Sequence, residues 1–241
     1  MINATYIDHM GSDLSVVNAA RVSFGKKSEL ECIDMVKGKY TLSHKDRKLI
    51  GYLAEHNHIS PFGHCFASFH IKAPMFVARQ LVKHKFLRWN EISRRYVDEE
   101  PEFYMPTVWR ERSADKKQGS SKKEIEHMHY TCETTGKKLK TKIWRQLDHY
   151  QTHHVHEMYS GLLKAGVCPE QARMVLPQNM MTEWYWSGSL DAFADMCNLR
   201  CASDTQVETQ EVAKQISLKM HELFPVSWMA LAKEQKNEQR C

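Results

Sequence analysis

The segment KHKFLRWNEISRRY occupies residues 83–96 and contains five lysines or arginines, a histidine, a carboxylate and a serine hydroxyl. Apolar side chains, among them Phe86, Trp89 and Ile92, lie between the charged residues. A solvated basic turn is the plain structural interpretation of a charge run, but such a turn does not require apolar residues inside it. A high density of fixed donors beside aromatic rings is typical of a site that holds an anionic, ring-containing ligand in one orientation.

The sequence on either side of this segment indicates the local fold. Residues 65–72 alternate between apolar and polar side chains, which predicts a strand. A helix that starts near Pro74 and continues through Gln80 leads the chain into residues 83–96. Elsewhere the patterns predict a strand at 4–8, a helix capped by Ser12 or Asp13, and helices over 45–56, 140–165, 189–201 and 207–223. This mixture predicts a helix-rich α+β fold, an antiparallel or mixed sheet flanked by helices, in a single domain over residues 1–241.

Residues 110–123 combine charge, serine and glycine without an apolar period. They predict a charged insertion or loop around 110–140 that is solvated and has no function of its own. The helix that follows is predicted to bury one face, formed by Leu147, Val155, Met158 and Leu162.

The overall composition excludes several classes of protein. The 241 residues are 42% hydrophobic with a formal charge of +5, as expected for a folded globular protein with only a mild preference for anions. Seven cysteines without framework spacing argue against a secreted disulfide scaffold, and we expect no metal site. Because there is no signal-like start and no long apolar run, we expect a soluble, cytoplasmic protein without a membrane segment.

The order of residues in the 83–96 segment resembles the signature of flavin-dependent thymidylate synthases. That signature has Arg-His-Arg, seven residues and then Ser, with Asn-Glu inside it and Arg-Tyr after it. The His, Asn-Glu, Ser and Arg-Tyr positions match here, while Lys83 and Lys85 replace the two arginines. Further stretches that resemble the family lie, in the same order, at residues 18–24, 58–64, 172–179 and 198–200.

The resemblance implies methylation of deoxyuridylate (dUMP) to thymidylate (dTMP). Methylenetetrahydrofolate would supply the carbon, and FAD reduced by NADPH would supply the hydride. The family is tetrameric, with flavin and nucleotide bound where subunits meet, so a homotetramer is expected.

The resemblance also implies roles for individual residues. Arg200 would face the pyrimidine carbonyls and stabilise negative charge on the ring, and Ser93 would lie near the uracil; these are the expected catalytic residues. The expected dUMP ligands are Gln80, Lys83, Glu91, Ser93, Arg94, Arg95, Arg173 and Arg200. The expected cofactor ligands are Ser23, His58, Ser60, Lys83, His84, Lys85, Asn90, Glu91, Leu199 and Arg200.

Some positions on the flavin side depart from the family pattern. Gly63 stands where the family usually has Glu, and Ser189, Asp191, Asp195 and Asp204 stand where it commonly has Asn, Arg, Asn and His. The change at 191 replaces a cation by an anion, and a unit charge at 4 Å is worth up to about 4 kcal/mol at an effective dielectric of 20. A structural interpretation is that Ser189 caps a helix whose first turn carries the aspartate. We therefore do not expect the aspartates at 191 and 195 to be FAD ligands.

Two alternative functions stay open. If hydride delivery is impaired, water could capture the transferred carbon and give 5-hydroxymethyl-dUMP. A basic nucleic-acid-binding protein using residues 83–95 and the lysines of 116–123 is the second alternative. It is disfavoured because Gln80, Asn90, Glu91 and Ser93 have no place in a purely electrostatic surface, so we expect no nucleic-acid partner.

Overall fold

A computed structural model describes residues 1–35, 37–114 and 119–232. The chain divides into two compact units, each assembled from separate stretches of sequence. The first unit comprises Met1, Lys72–Gln80 and Glu91–Glu183; the second comprises Ile2–Ile71, Leu81–Asn90 and the chain from Trp184 onward. The expected α+β class is confirmed, while the single-domain organisation stays a prediction.

The strands of the described chain form one larger sheet and three two-stranded ribbons. They are β1 (Asn3–Met10), β2 (Glu31–Asp34), β3 (Lys39–Thr41), β4 (Phe66–Pro74), β5 (Arg88–Glu91), β6 (Arg110–Arg112), β7 (Ser120–Glu124), β8 (His127–Thr131), β9 (Lys138–Lys142) and β10 (Met181–Ser189). The larger sheet has the order β1-β4-β10-β5, and the antiparallel ribbons are β2-β3, β6-β7 and β8-β9.

Helices lie in every region where the sequence predicted one, although the helix predicted over 140–165 begins later and is interrupted. They are α1 (Asp13–Arg21), α2 (His44–Glu55), α3 (Met75–Leu81), α4 (Ile143–His149), α5 (His156–Lys164), α6 (Pro169–Ala172), α7 (Leu190–Arg200), α8 (Val207–Leu223) and α9 (Pro225–Leu231). Short 3-10 turns lie at Val22–Phe24, Ser60–His64 and Arg173–Val175. None of the helices in the described ranges is long and apolar enough to cross a lipid bilayer.

The core of the second unit follows directly from sequence periodicity. On β4, the predicted inward residues Ala67, Phe69 and Ile71 are at most 1% exposed, as alternation requires. On α8, Val212 and Ile216 recur at helical spacing and are fully buried. These segments confirm the strand and helix predictions, and they position β10 and α7 beside residues 84–90.

A buried aspartate joins helices α1 and α9 of the second unit. Asp13, in the first turn of α1, accepts hydrogen bonds from the backbone N–H groups of Val226 and Ser227 at 2.9 and 2.8 Å. These two donors belong to the first turn of α9, where backbone N–H groups have no partner within the helix. The carboxylate therefore caps α9 from another helix.

The predicted helix over 140–165 is interrupted, and the prediction of which residues it buries is partly wrong. Between α4 and α5 lies a π-helical turn, Tyr150–Val155. A π turn adds a residue to the helical repeat and so rotates everything that follows it. Val155 is buried as predicted, but Met158 is 56% exposed and Tyr159 takes its place in the core.

The expected loop around 110–140 is folded, which corrects the sequence-based interpretation. Two ribbons, β6-β7 and β8-β9, lie in this stretch, although residues 115–118 fall outside the described chain. In the second ribbon His129 pairs with Lys140 and Thr131 with Lys138. Cross-strand backbone hydrogen bonds hold such a ribbon, so it needs no apolar period in the sequence.

Candidate active site

The second unit pairs the predicted catalytic arginine with the histidine of the 83–96 segment. Arg200 is the last residue of α7, and its Nε donates a hydrogen bond to Nε2 of His84 at 3.1 Å. Both side chains are half-buried. Burial and the neighbouring Arg200 charge lower the pKa of His84 to about 4. Burial also lowers the pKa of Arg200, although a guanidinium stays charged at any physiological pH.

Tryptophan stacking supports the segment that carries the histidine. Trp89 of β5 stacks on Trp184 of β10 with ring centroids 4.3 Å apart, and Trp186 meets it edge-on at 5.8 Å. Gly188 leaves room for Leu87, because a Cβ at Gly188 would lie 2.3 Å from Cδ2 of Leu87. Trp89 and Leu87 therefore anchor this segment to the sheet.

The first unit carries the continuation of the segment. Thr182, which is 3% exposed, donates to Oε1 of Glu91 at 2.7 Å and holds that carboxylate in place. The Oγ of Ser93 accepts a 3.3 Å hydrogen bond from the backbone N–H of Arg95. The Arg95 guanidinium lies 5.2 Å from the ring centroid of Tyr96 and donates to its hydroxyl.

The remaining predicted nucleotide ligands make local contacts. Arg94 donates to the backbone oxygen of Glu99. Arg173 is exposed at the start of a 3-10 turn and donates to the backbone oxygen of Glu170 at 3.2 Å. Gln80 is half-buried near the end of α3. These side chains stay predicted ligands.

The predicted cofactor ligands of the second unit lie mostly at its surface. Seven of them are exposed: Ser23, His58, Ser60, Lys83, Lys85, Asn90 and Leu199. Sequence reasoning missed Tyr52, whose ring stacks on His56 with centroids 4.1 Å apart and lies parallel to His58 at 6.1 Å. A Tyr and a His four residues apart on a helix are the signal that could have indicated this aromatic surface.

Two residues of the family-like stretch at 18–24 have structural roles. Asn18 exchanges two hydrogen bonds with the backbone of Ser28, and Arg21 donates from Nε and Nη2 to Oδ1 of Asp46. These contacts hold residues 25–30 and α2 against α1. They also fix the direction in which the chain leaves α1 toward Ser23.

Two departures from the family pattern are neighbours in space. A Cβ at Gly63 would lie 3.9 Å from Oδ1 of Asp191. That oxygen is buried and has no hydrogen-bond partner within the described chain. Ser189 occupies the N-cap position of α7 as predicted, but its side chain makes no capping hydrogen bond. Asp195 and Asp204 are exposed. In the ranges that the structure covers, no group of three histidine, cysteine or acidic side chains could hold a metal ion.

Comparison with known proteins gives consistent matches. The family profile described as "Thymidylate synthase complementing protein" matches residues 5–226. The chain is 35% identical over 227 residues to the flavin-dependent thymidylate synthase of Thermosipho africanus, covering 94% of this chain and 89% of that protein. It is 36% identical over 224 residues to a protein of the same name from Thermus thermophilus, covering 93% of this chain and 73% of that protein. Among solved structures, the UMP/dUMP methylase PolB from Streptomyces cacaoi, bound with 5-Br dUMP, aligns with a TM-score of 0.73 and 28% identity over 95% of this chain and 94% of that one.

Proposed function

Because this chain belongs to the family of flavin-dependent thymidylate synthases, we propose that it methylates carbon 5 of dUMP to give dTMP. Methylenetetrahydrofolate is the carbon donor, NADPH the reductant and FAD the hydride carrier. The observation that carries the proposal is Arg200, a half-buried guanidinium anchored at the end of α7 within a family-like sequence. We further propose a cytoplasmic homotetramer with its sites between subunits.

Arg200 provides the electrostatic part of the reaction. As carbon 5 becomes nucleophilic, negative charge builds up on the pyrimidine ring and its carbonyl oxygens. A guanidinium held in a half-buried position stabilises that charge more than a solvated one would, since it needs little reorganisation. Ser93 orients the uracil in this proposal and does not attack it.

The phosphate and the ring face of the nucleotide are held by the other predicted nucleotide ligands. Arg95 and Arg173 are exposed guanidiniums suited to bidentate phosphate contacts, and Gln80 and Arg94 complete the nucleotide set together with Lys83. The hydrogen bond from Thr182 directs the Glu91 carboxylate, which we propose contacts both nucleotide and cofactor.

The side chains of the second unit fit an anionic dinucleotide that carries a planar ring. Lys83 and Lys85 present exposed ammonium groups, and the rings of Phe86 and Phe24 are 85% and 77% exposed. The unpartnered oxygen of Asp191 revises the expectation that this aspartate is not an FAD ligand: it suits a hydroxyl donor, such as a ribose hydroxyl, and does not suit a phosphate. When bound, FAD supplies the hydride that converts the transferred carbon to a methyl group.

The test is a reaction mixture of protein, dUMP, methylenetetrahydrofolate, FAD and NADPH, with the nucleotide product identified by mass. Parallel reactions with UMP are informative because the structural neighbour PolB is described as a UMP/dUMP methylase. Arg200→Ala is expected to lower turnover by about 10²–10³-fold, the usual cost of removing one charge-stabilising donor. Arg145→Ala, which removes an exposed arginine of α4, is the matched control. A protein that neither binds flavin nor alters the nucleotide would refute the proposal, and near-normal turnover of Arg200→Ala would remove that residue from it.

One observation favours a second candidate product, 5-hydroxymethyl-dUMP. The buried Asp191 oxygen places an acceptor on the flavin half of the proposed site, where the family commonly has the cationic donor arginine. If hydride delivery is slow, water adds to the carbon attached to the uracil ring, and tetrahydrofolate leaves without net reduction. The same mass measurement decides between the products, since a hydroxymethyl product contains one oxygen more. Formation of thymidylate alone eliminates this candidate.

A further inference from the structure

A hydrogen bond to His84 fixes the Nε side of the Arg200 guanidinium. Nε carries a single hydrogen, which points to Nε2 of His84 at 3.1 Å. The guanidinium is planar and its five N–H groups have fixed directions. Anchoring the Nε–H therefore orients the whole plane and turns the Nη edge away from the imidazole.

The imidazole can serve as an acceptor only in one state. Nε2 accepts a hydrogen bond when the ring is neutral and its proton is on Nδ1. Burial and the adjacent Arg200 charge keep the pKa of His84 low, so the neutral ring is present at physiological pH. Trp186 packs edge-on against the His84 ring, with the ring centroids 6.3 Å apart and the ring planes at 65° to each other.

We propose that His84 is a positioning residue for Arg200: its neutral Nε2 holds the guanidinium in the orientation that meets the pyrimidine carbonyls. This inference rests on the proposed function. It differs from the role implied by the family resemblance, in which the histidine is a cofactor ligand, because the Nε2 lone pair is used within the protein.

Three substitutions at His84 distinguish the effect of the hydrogen-bond acceptor from the effect of the rest of the imidazole ring. In glutamine the amide oxygen is as many bonds from Cβ as Nε2 is in histidine, so His84→Gln keeps an acceptor in reach of Arg200. His84→Asn places its oxygen one bond shorter, at the Nδ1 position, and His84→Leu has no acceptor. At saturating FAD, we expect the Gln variant to stay within about 5-fold of the wild-type kcat. We expect the Asn and Leu variants to lose about 100-fold, as a misplaced catalytic group does, with a small change in the KM for dUMP.

A double-substitution cycle shows whether the histidine acts through the arginine. In an Arg200→Ala background, His84→Leu should cause no further loss of kcat, because no guanidinium is left to position. Titration of each variant with FAD, followed by flavin fluorescence, shows whether the histidine contributes to cofactor affinity. A further loss in that background, or equal kcat for the Gln and Leu variants, would overturn the inference.

A measurement without turnover keeps the inference separate from the proposed function. The Nε–H resonance of Arg200 in proton–nitrogen NMR spectra should exchange slowly with water in wild type and in His84→Gln, and rapidly in His84→Leu. Thermal unfolding of each variant verifies that it is folded. If the wild type makes no product but this exchange pattern is seen, the pairing stands and the proposed function fails. Rapid exchange in the wild type would refute the pairing itself.

Discussion

Substitution of Asp46 is expected to destabilise the second unit strongly. Asp46 is 2% exposed, and its carboxylate accepts hydrogen bonds from Arg21, from the Ser28 hydroxyl at 3.0 Å and from the Ser43 hydroxyl at 2.8 Å. Removal of one partner of a buried ion pair costs about 3–5 kcal/mol. The Arg21 side chain is 26% exposed, so water recovers part of this loss, and we expect about 2–3 kcal/mol for Asp46→Asn.

The assay is urea unfolding of wild type and variant, with Glu55→Gln as the control. Glu55 is an exposed acidic residue of the same helix, and its substitution should change the free energy of unfolding by less than about 0.5 kcal/mol. A loss of about 2–3 kcal/mol corresponds to a fall in Tm of about 4–12 °C for a chain of this size. An Asp46→Asn variant as stable as the control would show that the network contributes nothing and would refute the reasoning.

The Asp46 carboxylate should also make the free energy of unfolding depend on pH in the acid range. Burial alone would raise the pKa of Asp46, but hydrogen bonds from Arg21, Ser43 and Ser28 and the Arg21 charge outweigh it and hold the pKa below its ordinary value. A depressed folded-state pKa gives stability that is complete above the unfolded pKa, about 3.9, and is lost as pH falls through the folded value. Unfolding free energies measured on either side of this window should show a smaller pH dependence in Asp46→Asn than in wild type.

Three further outcomes test the site and its supports. Thr182→Val keeps the shape but removes the donor to Glu91, so turnover should fall about 10-fold while the Tm changes little; unchanged kinetics would contradict the directing role of this hydroxyl. Gly188→Ala should displace Leu87 and cost about 1–3 kcal/mol by overpacking, measured by urea unfolding, and a neutral effect would show that the leucine moves freely. Burial raises the pKa of the Cys65 thiol to about 11, so iodoacetamide should label this thiol only after denaturation. Labelling is detected by peptide mass, and labelling of the native protein at neutral pH would show that the region around Cys65 opens.

The parts of the fold that have a strong period could be predicted from the sequence. The alternation of residues 65–72 and the helical spacing over 207–223 are both found, because burial on one face forces the pattern that the sequence shows. The ribbons of 110–142 were missed, since paired backbones stabilise them and leave no such pattern. Met158 was misplaced because a π turn changes the repeat without any marker in the sequence.

The candidate site shows the same division. A family resemblance can name His84 and Arg200 separately, but their hydrogen bond joins residues 116 positions apart and depends on how α7 ends. Likewise, nothing in the sequence indicated that Gly63 faces Asp191. Contacts of this kind are set by packing, so they required the three-dimensional structure.

The three stacked and edge-on indoles of Trp89, Trp184 and Trp186 provide the protein with an optical signature. Chromophores 4.3–6.4 Å apart share their excited states, so this cluster should give a paired positive and negative band in far-ultraviolet circular dichroism. The band depends on β5 lying against β10, and it is lost if that strand detaches. Spectroscopy of the purified chain can thus follow the integrity of residues 84–90 independently of any ligand or reaction.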